Sequence, residues 1–588
     1  MVAEVWSGTV RGIQGELITV QADISDGLPL FGMTGHLSSE VKEAKDRVRT
    51  ALKNTGYHLP PKRVSVNLAP ADMRKSGACY DFAIAVGILT AMSVIPGEAV
   101  RGILFLGELA LDGMLSPVTG VLAILQAAYR AGCRTCAVPR GNAREASLLP
   151  GMRVLAFSNL REAVDHLSGR QEEDGEGTQR AEGSIRPQTG ESEKKPAKNA
   201  AAQGTEDVRP QTGESEKKPA KNAAARGTED VRPQTGESEK KQAKNTAAWE
   251  AEEGARSVTK DREQEEKEQA GPDLSEVKGQ QMAKRALEIA VAGGHNLFLD
   301  GPPGAGKSML AACTPGIMPE MSREEQIDAT VIYSVKGLLR DDFSLVRKRP
   351  FRAPSSSVTI AGMFGGGGNP RPGEVTLAHH GVLFLDEFPE FKKELIEMFR
   401  VVLEEHKITQ IRNGRTVTFP ADFIFIAAAN PCPCGYYPDR RYCRCTPRQV
   451  LNYQSRLSGP ILDRLDLFVR CDKVSYAMMA EEKKAESSAV VRERIRRVWE
   501  LQKERFARKE YLFNGRMPAK DVERYCVLDG DSRALLKEIF DRLQLTGRSY
   551  HRILKVSRTI ADLEESEEIR EEHVREALLF RRTSPFFE

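Results

Sequence analysis

The stretch Gly301–Ser308 reads GPPGAGKS, with the spacing G-x-x-x-x-G-K-S. Glycines in such a loop let backbone N–H groups converge on phosphate oxygens, while a lysine reaches the β and γ phosphates and a hydroxyl oxygen serves Mg²⁺. Gly301, Pro302, Pro303, Gly304, Ala305, Gly306, Lys307 and Ser308 are therefore the candidate phosphate-binding residues, with Ser308 also a candidate Mg²⁺ ligand. The competing reading is a glycine-rich turn. Context favours phosphate, because an apolar strand at 296–299 precedes the loop and a helix-forming run follows it. A second apolar run, GVLFLDE, ends in Asp386 and Glu387, the composition of a strand buried on both faces of a parallel sheet. Asp386 would hold hydrated Mg²⁺ and Glu387 would polarise an attacking water; the alternative is a pair of solvent-exposed acids at a strand end. A third run, FIFIAAAN, ends in Asn430, whose amide could orient that water from the far side.

Directly after Asn430, NPCPCGYYPDRRYCRCTP places Cys432, Cys434, Cys443 and Cys445 within fourteen positions of a chain that has ten cysteines. Four thiolates suit one tetrahedral Zn²⁺ and leave a net charge of −2, which Arg440, Arg441, Arg444 and Arg448 can offset. No coordination position stays open, so the ion would brace the loop and do no chemistry. Redox-active thiols and unligated cysteines are the other two readings.

Positioning these groups requires a parallel sheet, and the chain has room for more than that. At 588 residues it exceeds a single core. It is 40% hydrophobic and 29% charged, with a net charge of +3, so any contact with a polyanion has to come from a local basic patch. No apolar run reaches the length of a membrane span and no secretory signal is visible at the N-terminus, which gives a cytoplasmic reading with no membrane partner. From about 168 to 272 apolar periodicity disappears and a unit beginning RPQTGESEKK recurs every 23 residues, from Arg186, Arg209 and Arg232. Each copy has too little to bury to repay the entropy of ordering, so 168–272 reads as a disordered repeat-containing tether, with an interaction segment as the alternative. KITQIRNGRTVTFP reads as a β-hairpin turning at Asn413-Gly414, with Arg412 and Arg415 beside the turn as candidate DNA contacts. The pair His379-His380 reads as structural or inter-subunit in preference to metal-binding. Past 470 the pattern is helical; the basic residues between Arg492 and Lys509 read more readily as a solvated face than as a DNA contact.

The order GPPGAGKS, GVLFLDE, FIFIAAANPCPCGYY, SRLSGPILDRLDL and GRSYHRILKVSRTIADLE resembles the YifB/ComM family of magnesium-chelatase-like AAA+ ATPases. The resemblance implies an α/β chain: a Lon-protease-like α+β domain at 1–167, the tether, an AAA+ P-loop NTPase core with the four-cysteine loop at 273–470, and a helical lid at 471–588. It further implies ATP and Mg²⁺ as ligands, hydrolysis to ADP and phosphate, and a homo-oligomeric ring, usually a hexamer. By match to the motifs, Asn430 is the sensor-1 residue, Arg464 the arginine finger and Arg548 the sensor-2 arginine, with Arg456 and Arg552 as nearby competitors. The family commonly has histidines near RPFRAP, where this chain has Ser355 and Ser356. Two functions follow: a DNA motor of the helicase or branch-migration type, or a protein-remodelling motor like the magnesium-chelatase ATPase subunit; protein quality control is a weaker third. In the N-terminal domain, VNLAPADMRKSGACYDFAIAVGILTA and LFLGELALDGMLSPVTGVLAILQAAYRAGCRTCAVPRGN resemble the nucleophile and lysine segments of the Lon protease family, a resemblance that implies Cys79 at the serine position and Leu122 at the lysine position. Leucine cannot act as a base, so proteolysis is not expected. The nearby Lys75 and Ser76 read as an exposed turn.

Overall fold

In a computed structural model of the chain, residues 2–169, 271–339, 345–368, 370–412, 415–474, 485–543 and 545–581 are described. All belong to one compact unit. The 23-residue repeats and the Asn413-Gly414 turn lie outside the described residues, as do the side chains of Arg412 and Arg415.

The N-terminal residues build a seven-stranded mixed sheet in the order Leu30–Thr34, Arg63–Ala69, Gln14–Ser25, Ala3–Arg11, Ile103–Phe105, Thr135–Pro139, Arg153–Phe157. Its long central pair is antiparallel, with Arg11 opposite Gln14 across a two-residue connection. Alternating burial along Arg63–Ala69 is what a half-covered strand requires. The helix Asp81–Ala91 is apolar almost all round and buried nearly throughout, as a helix pressed into a core must be.

A second sheet carries the chemistry. Five parallel strands run in the order Phe351–Arg352, Val382–Leu385, Ile424–Ala429, Leu297–Asp300, Leu467–Arg470. The three central members are buried along most or all of their length, which explains their continuous apolar sequence. One face is covered by the helices Gln281–Gly293, Ser488–Arg505 and Gly547–Leu563. The other packs on the helix Lys393–Glu405 and on the hairpin Lys407–Arg412 and Arg415–Pro420, whose register pairs Arg412 with Arg415 and Ile408 with Phe419. Three residues after the hairpin the chain enters Ile424–Ala429. The helical run past 485 is interrupted between Gly530–Leu543 and Gly547–Leu563, the second helix being capped by the Thr546 hydroxyl. Among the described residues no helix is long and apolar enough to cross a membrane.

Candidate nucleotide site

In an open parallel sheet, ligands bind beyond the carboxyl ends of the strands. There the sequence-nominated groups meet. The loop after Leu297–Asp300 turns into the helix Lys307–Ala312 through Gly304 and Gly306, at φ +74° and +84°, conformations that side chains with a Cβ rarely adopt. A Cβ built on either would meet nothing within 4 Å among the described residues, so both glycines face open space. Gly301 is constrained differently: a Cβ there would lie 2.2 Å from the Cys471 carbonyl oxygen. Lys307 Nζ donates to the carbonyl oxygens of Gly301 (2.5 Å) and Pro302 (3.1 Å) and to Asn430 Oδ1 (3.0 Å). Ser308 Oγ donates to Asp386 Oδ2 at 2.6 Å, and Asp386 Oδ1 accepts from the Glu387 backbone N–H at 2.9 Å. Glu387 is exposed, with left-handed backbone at φ +49°. The strand bearing Asn430 lies between the P-loop strand and the one bearing Asp386, which is why one lysine can touch the asparagine. The open cradle and the serine–aspartate pair suit a triphosphate and a hard cation held by oxygen. Burial lowers the Lys307 pKa against the pull of nearby groups that include Asp386 and Glu387.

The four cysteine sulfurs lie within 4.8 Å of one another. Cys432 Sγ is 3.4 Å from Cys434 Sγ and 3.8 Å from Cys443 Sγ, and Cys434 to Cys443 is 3.6 Å. Tetrahedral Zn²⁺ with Zn–S bonds of about 2.3 Å needs sulfurs about 3.8 Å apart. The donor set therefore fits. Burial works to raise Cys434, yet hydrogen bonds from the Tyr436 backbone and from neighbouring thiols bring it down to about 6, whereas Cys445 is pushed up to about 12, chiefly by burial. The loop leans on the phosphate loop: a Cβ on Gly435 would stand 2.4 Å from Pro303 Cδ. Of the arginines, Arg441 pairs with Asp439 and Arg440 donates to the Cys445 carbonyl oxygen.

The candidate arginines are dispersed. Arg464 has its side chain 13% exposed and pairs with Glu404 at 2.5 Å; Arg456, 49% exposed, pairs with Glu390. Arg552 is buried beside Asp463 and Asp466, the position of a structural ion pair. Arg548, one turn earlier, is exposed. The His379 and His380 rings lie with centroids 3.7 Å apart, tilted by 31°, and burial lowers His379 to about 4. Ser355 and Ser357 share a hydrogen bond close to RPFRAP. Between Arg492 and Lys509, Arg494, Arg496, Arg505 and Lys509 each bind carboxylates.

In the N-terminal sheet domain the Cys79 thiol donates to the Gly8 carbonyl oxygen, and burial pushes its pKa up to about 12, the opposite of an activated nucleophile. Leu122 is buried. Lys75 corrects the exposed-turn reading: it is fully buried, with its ammonium on the Pro70 carbonyl oxygen. The four-carbon stem fills core space, which a charge-based scan of the sequence does not anticipate.

Two further residues at the site, Gln280 and Asp300, escaped sequence reasoning. Gln280, at φ +57°, donates to the carbonyl oxygens of Ala305 (3.0 Å) and Asp472 (2.6 Å), tying the phosphate loop to two other segments. The Gly279-Gln280 pair before a helix was the available signal. Asp300 is 1% exposed, its Oδ1 has no hydrogen-bond partner among the described residues, and burial raises it to about 6. Nothing but an acid at the end of an apolar strand marked it. Gly435, together with Pro433, was readable as favouring the turn that brings alternate sulfurs together, but its approach to Pro303 was not.

Known proteins align with this architecture. A family profile described as magnesium chelatase, subunit ChlI, matches residues 273–479. A second, subunit ChlI of Mg-chelatase, matches 20–142, and the ChlI C-terminal profile matches 485–581. Competence protein ComM of Haemophilus influenzae is 35% identical over 582 residues, covering 98% of this chain and 97% of that protein. YifB of Salmonella typhimurium is 34% identical with the same coverage. Lon protease of Rhizobium meliloti is 26% identical over 176 residues, 27% of this chain and 22% of that protein. Identity at that level along both whole chains, with the phosphate-loop strand set in a five-stranded parallel sheet, shows that the chain belongs to the YifB/ComM family of magnesium-chelatase-like AAA+ proteins.

Proposed function

We propose that this chain is an ATP-hydrolysing motor that assembles as a ring, six copies being the expected number, and acts on DNA. The observation that carries the ATPase reading is the convergence of Lys307 on Asn430 and of Ser308 on Asp386, from three neighbouring strand ends. In this reading Lys307 neutralises the β and γ phosphates. Glu387 and Asn430 orient a water whose oxygen attacks the γ phosphorus, and the bond to the bridging oxygen breaks to give ADP and phosphate. Ser308 and Asp386 would hold Mg²⁺, which supplies further charge neutralisation when bound. Arg464, donated from a neighbouring copy, would complete that neutralisation after releasing Glu404, and Arg548 would act from a helical lid over the nucleotide. The four-cysteine loop would hold Zn²⁺ as a brace. The N-terminal domain is read as a Lon-like scaffold without proteolysis.

Support for DNA comes from the competence-protein relative and from the hairpin with Arg412 and Arg415 at its turn, joined to the strand that leads to Asn430. Copies of that hairpin around a ring would concentrate basic charge on a phosphate backbone although the chain is nearly neutral. The test is ATP turnover with and without single-stranded or forked DNA at two salt concentrations. Stimulation that falls steeply with salt is expected, and Arg412→Ala with Arg415→Ala should remove it; turnover indifferent to both DNA forms at both salts refutes the DNA track. A protein-remodelling motor is the second reading, favoured by the three chelatase-subunit profiles. It requires stimulation by a protein partner instead.

A further inference from the structure

Among the described residues, two contacts join the N-terminal sheet domain to the ATPase module. At the first, Leu122 and Ala123, in the opening turn of the helix Val121–Arg130, pack against Val331 and Val335 of the helix Arg323–Lys336. A buried carboxylate locks this contact: Glu145 Oε1 accepts from the Leu122 backbone N–H at 2.9 Å and from the Ser334 hydroxyl, while Oε2 accepts from Asn142 Nδ2 at 3.3 Å. Gly120, at φ +78° just before this helix, borders the contact: a Cβ there would meet Val10 Cγ2 of its own domain at 2.5 Å and would stand at an ordinary 3.6 Å from Val335 Cγ2. Thus the face around Leu122, where a Lon-like enzyme would need an open catalytic lysine, is filled by a helix of the ATPase module.

The second contact falls on the hairpin. Gly12, at φ +65° in the turn between the first two strands, sits over Val417; a Cβ there would be 2.4 Å from Val417 Cγ1 and 3.5 Å from Phe419 Cε1. Ile13 beside it joins the apolar cluster containing Ile408, Val417 and Phe419. The hairpin is also tied to the glycine segment, with Gln410 Nε2 donating to the carbonyl oxygens of Phe364 (3.2 Å) and Gly365 (3.0 Å). Its base is therefore held between an N-terminal turn and a glycine-rich loop. Its strand Arg415–Pro420 leads within three residues into the strand before Asn430.

We infer that the N-terminal domain is a positioning clamp for the hairpin 407–420: Leu122 and Glu145 anchor it to the helix Arg323–Lys336, while Gly12 and Ile13 set the stance of the hairpin. The inference rests on the motor reading only for what the hairpin grips. Two variants of the full chain test it, Ile13→Ser, which keeps the turn and removes the apolar plug, and Gly12→Val, which drives a branched side chain into Val417. Amide hydrogen exchange over 407–420 should quicken by about tenfold or more. Nucleotide turnover without DNA should stay within about twofold, as these residues do not approach the phosphate loop. DNA stimulation should fall by about tenfold, since a misplacement of about 1 Å can cost far more than that. Hairpin exchange unchanged in a folded Ile13→Ser chain overturns the clamp, as does faster exchange with full DNA stimulation. If Gly12→Val fails to fold, Ile13→Ser decides alone. If the unaltered chain shows no DNA stimulation, the DNA reading fails while hairpin exchange still judges the clamp.

Discussion

Asp300→Asn should remove a pH-dependent weakness from the nucleotide-binding module. Asp300 ends the P-loop strand almost fully enclosed, and one carboxyl oxygen has no partner among the described residues. Burial raises its pKa from 3.8 to about 6, outweighing the pull of Arg470 and Lys307. The folded chain therefore holds this proton more tightly than the unfolded chain. Below the unfolded value both states are protonated and the group costs nothing. As pH rises between the two values the unfolded state ionises first and stability is lost; above about 6 the whole cost is present. That cost is about 3 kcal/mol, roughly half of it reached by pH 5. Asparagine preserves the shape and removes the charge, so the variant should gain about 1 kcal/mol more at pH 7.5 than at pH 5. Trp499 is a suitable reporter because its indole N–H donates to the Val291 carbonyl oxygen, on the helix that precedes the strand. Urea unfolding of the nucleotide-free chain, followed by Trp499 fluorescence with Trp6 and Trp249 replaced by Phe, gives the midpoints at both pH values. Equal pH dependence in Asp300→Asn and its parent refutes the reasoning, as does net destabilisation at pH 7.5.

Lys307→Ala should abolish productive ATP binding, whereas Glu387→Gln should bind ATP and retain it unhydrolysed, a difference read by equilibrium binding beside single-turnover hydrolysis. The purified chain should contain about one zinc per polypeptide, and complete chelation should raise the KM for ATP because the loop leans on Pro303 through Gly435; unchanged folding and turnover after chelation contradict the brace. Arg464→Ala should leave ATP binding intact and lower turnover by about 10³-fold, the lower range for an arginine finger, and full turnover in that variant would discard the shared-site reading.

Residues whose function dictates their neighbours were readable in the chain. LFLD before GPPGAGKS, VLFL in GVLFLDE and IFIAAA in FIFIAAAN are buried strands that each lead into polar residues, and the fold sets those ends side by side. The Cys-x-Cys pairs bring four sulfurs together because ligand type and spacing are local properties. Long-range pairings were not readable. The contact of Glu145 with Ser334 spans 189 residues, and neither residue carries a local mark. Lys75 looked exposed because a lysine in a polar stretch usually is, yet its stem fills the core. Arg464 and Arg552 could not be told apart by residue type; their side chains are almost equally covered, and what separates them is the partner, Glu404 for Arg464 and Asp463 with Asp466 for Arg552. Asp300 stayed hidden because the cost of an acid depends on what surrounds it, which a single strand does not disclose.

The segment from the hairpin to Asn430 acts as a connecting rod. Pro420 and Ile424 are separated by three residues, of which Ala421 and Phe423 are buried, so the link has no slack. At the far end of the rod Asn430 touches the lysine of the phosphate loop. In the motor reading, a load on the hairpin strand Arg415–Pro420 would pass along this short piece of backbone toward Asn430 only while a track grips the hairpin, which is why a loosened hairpin is expected to spare turnover without DNA.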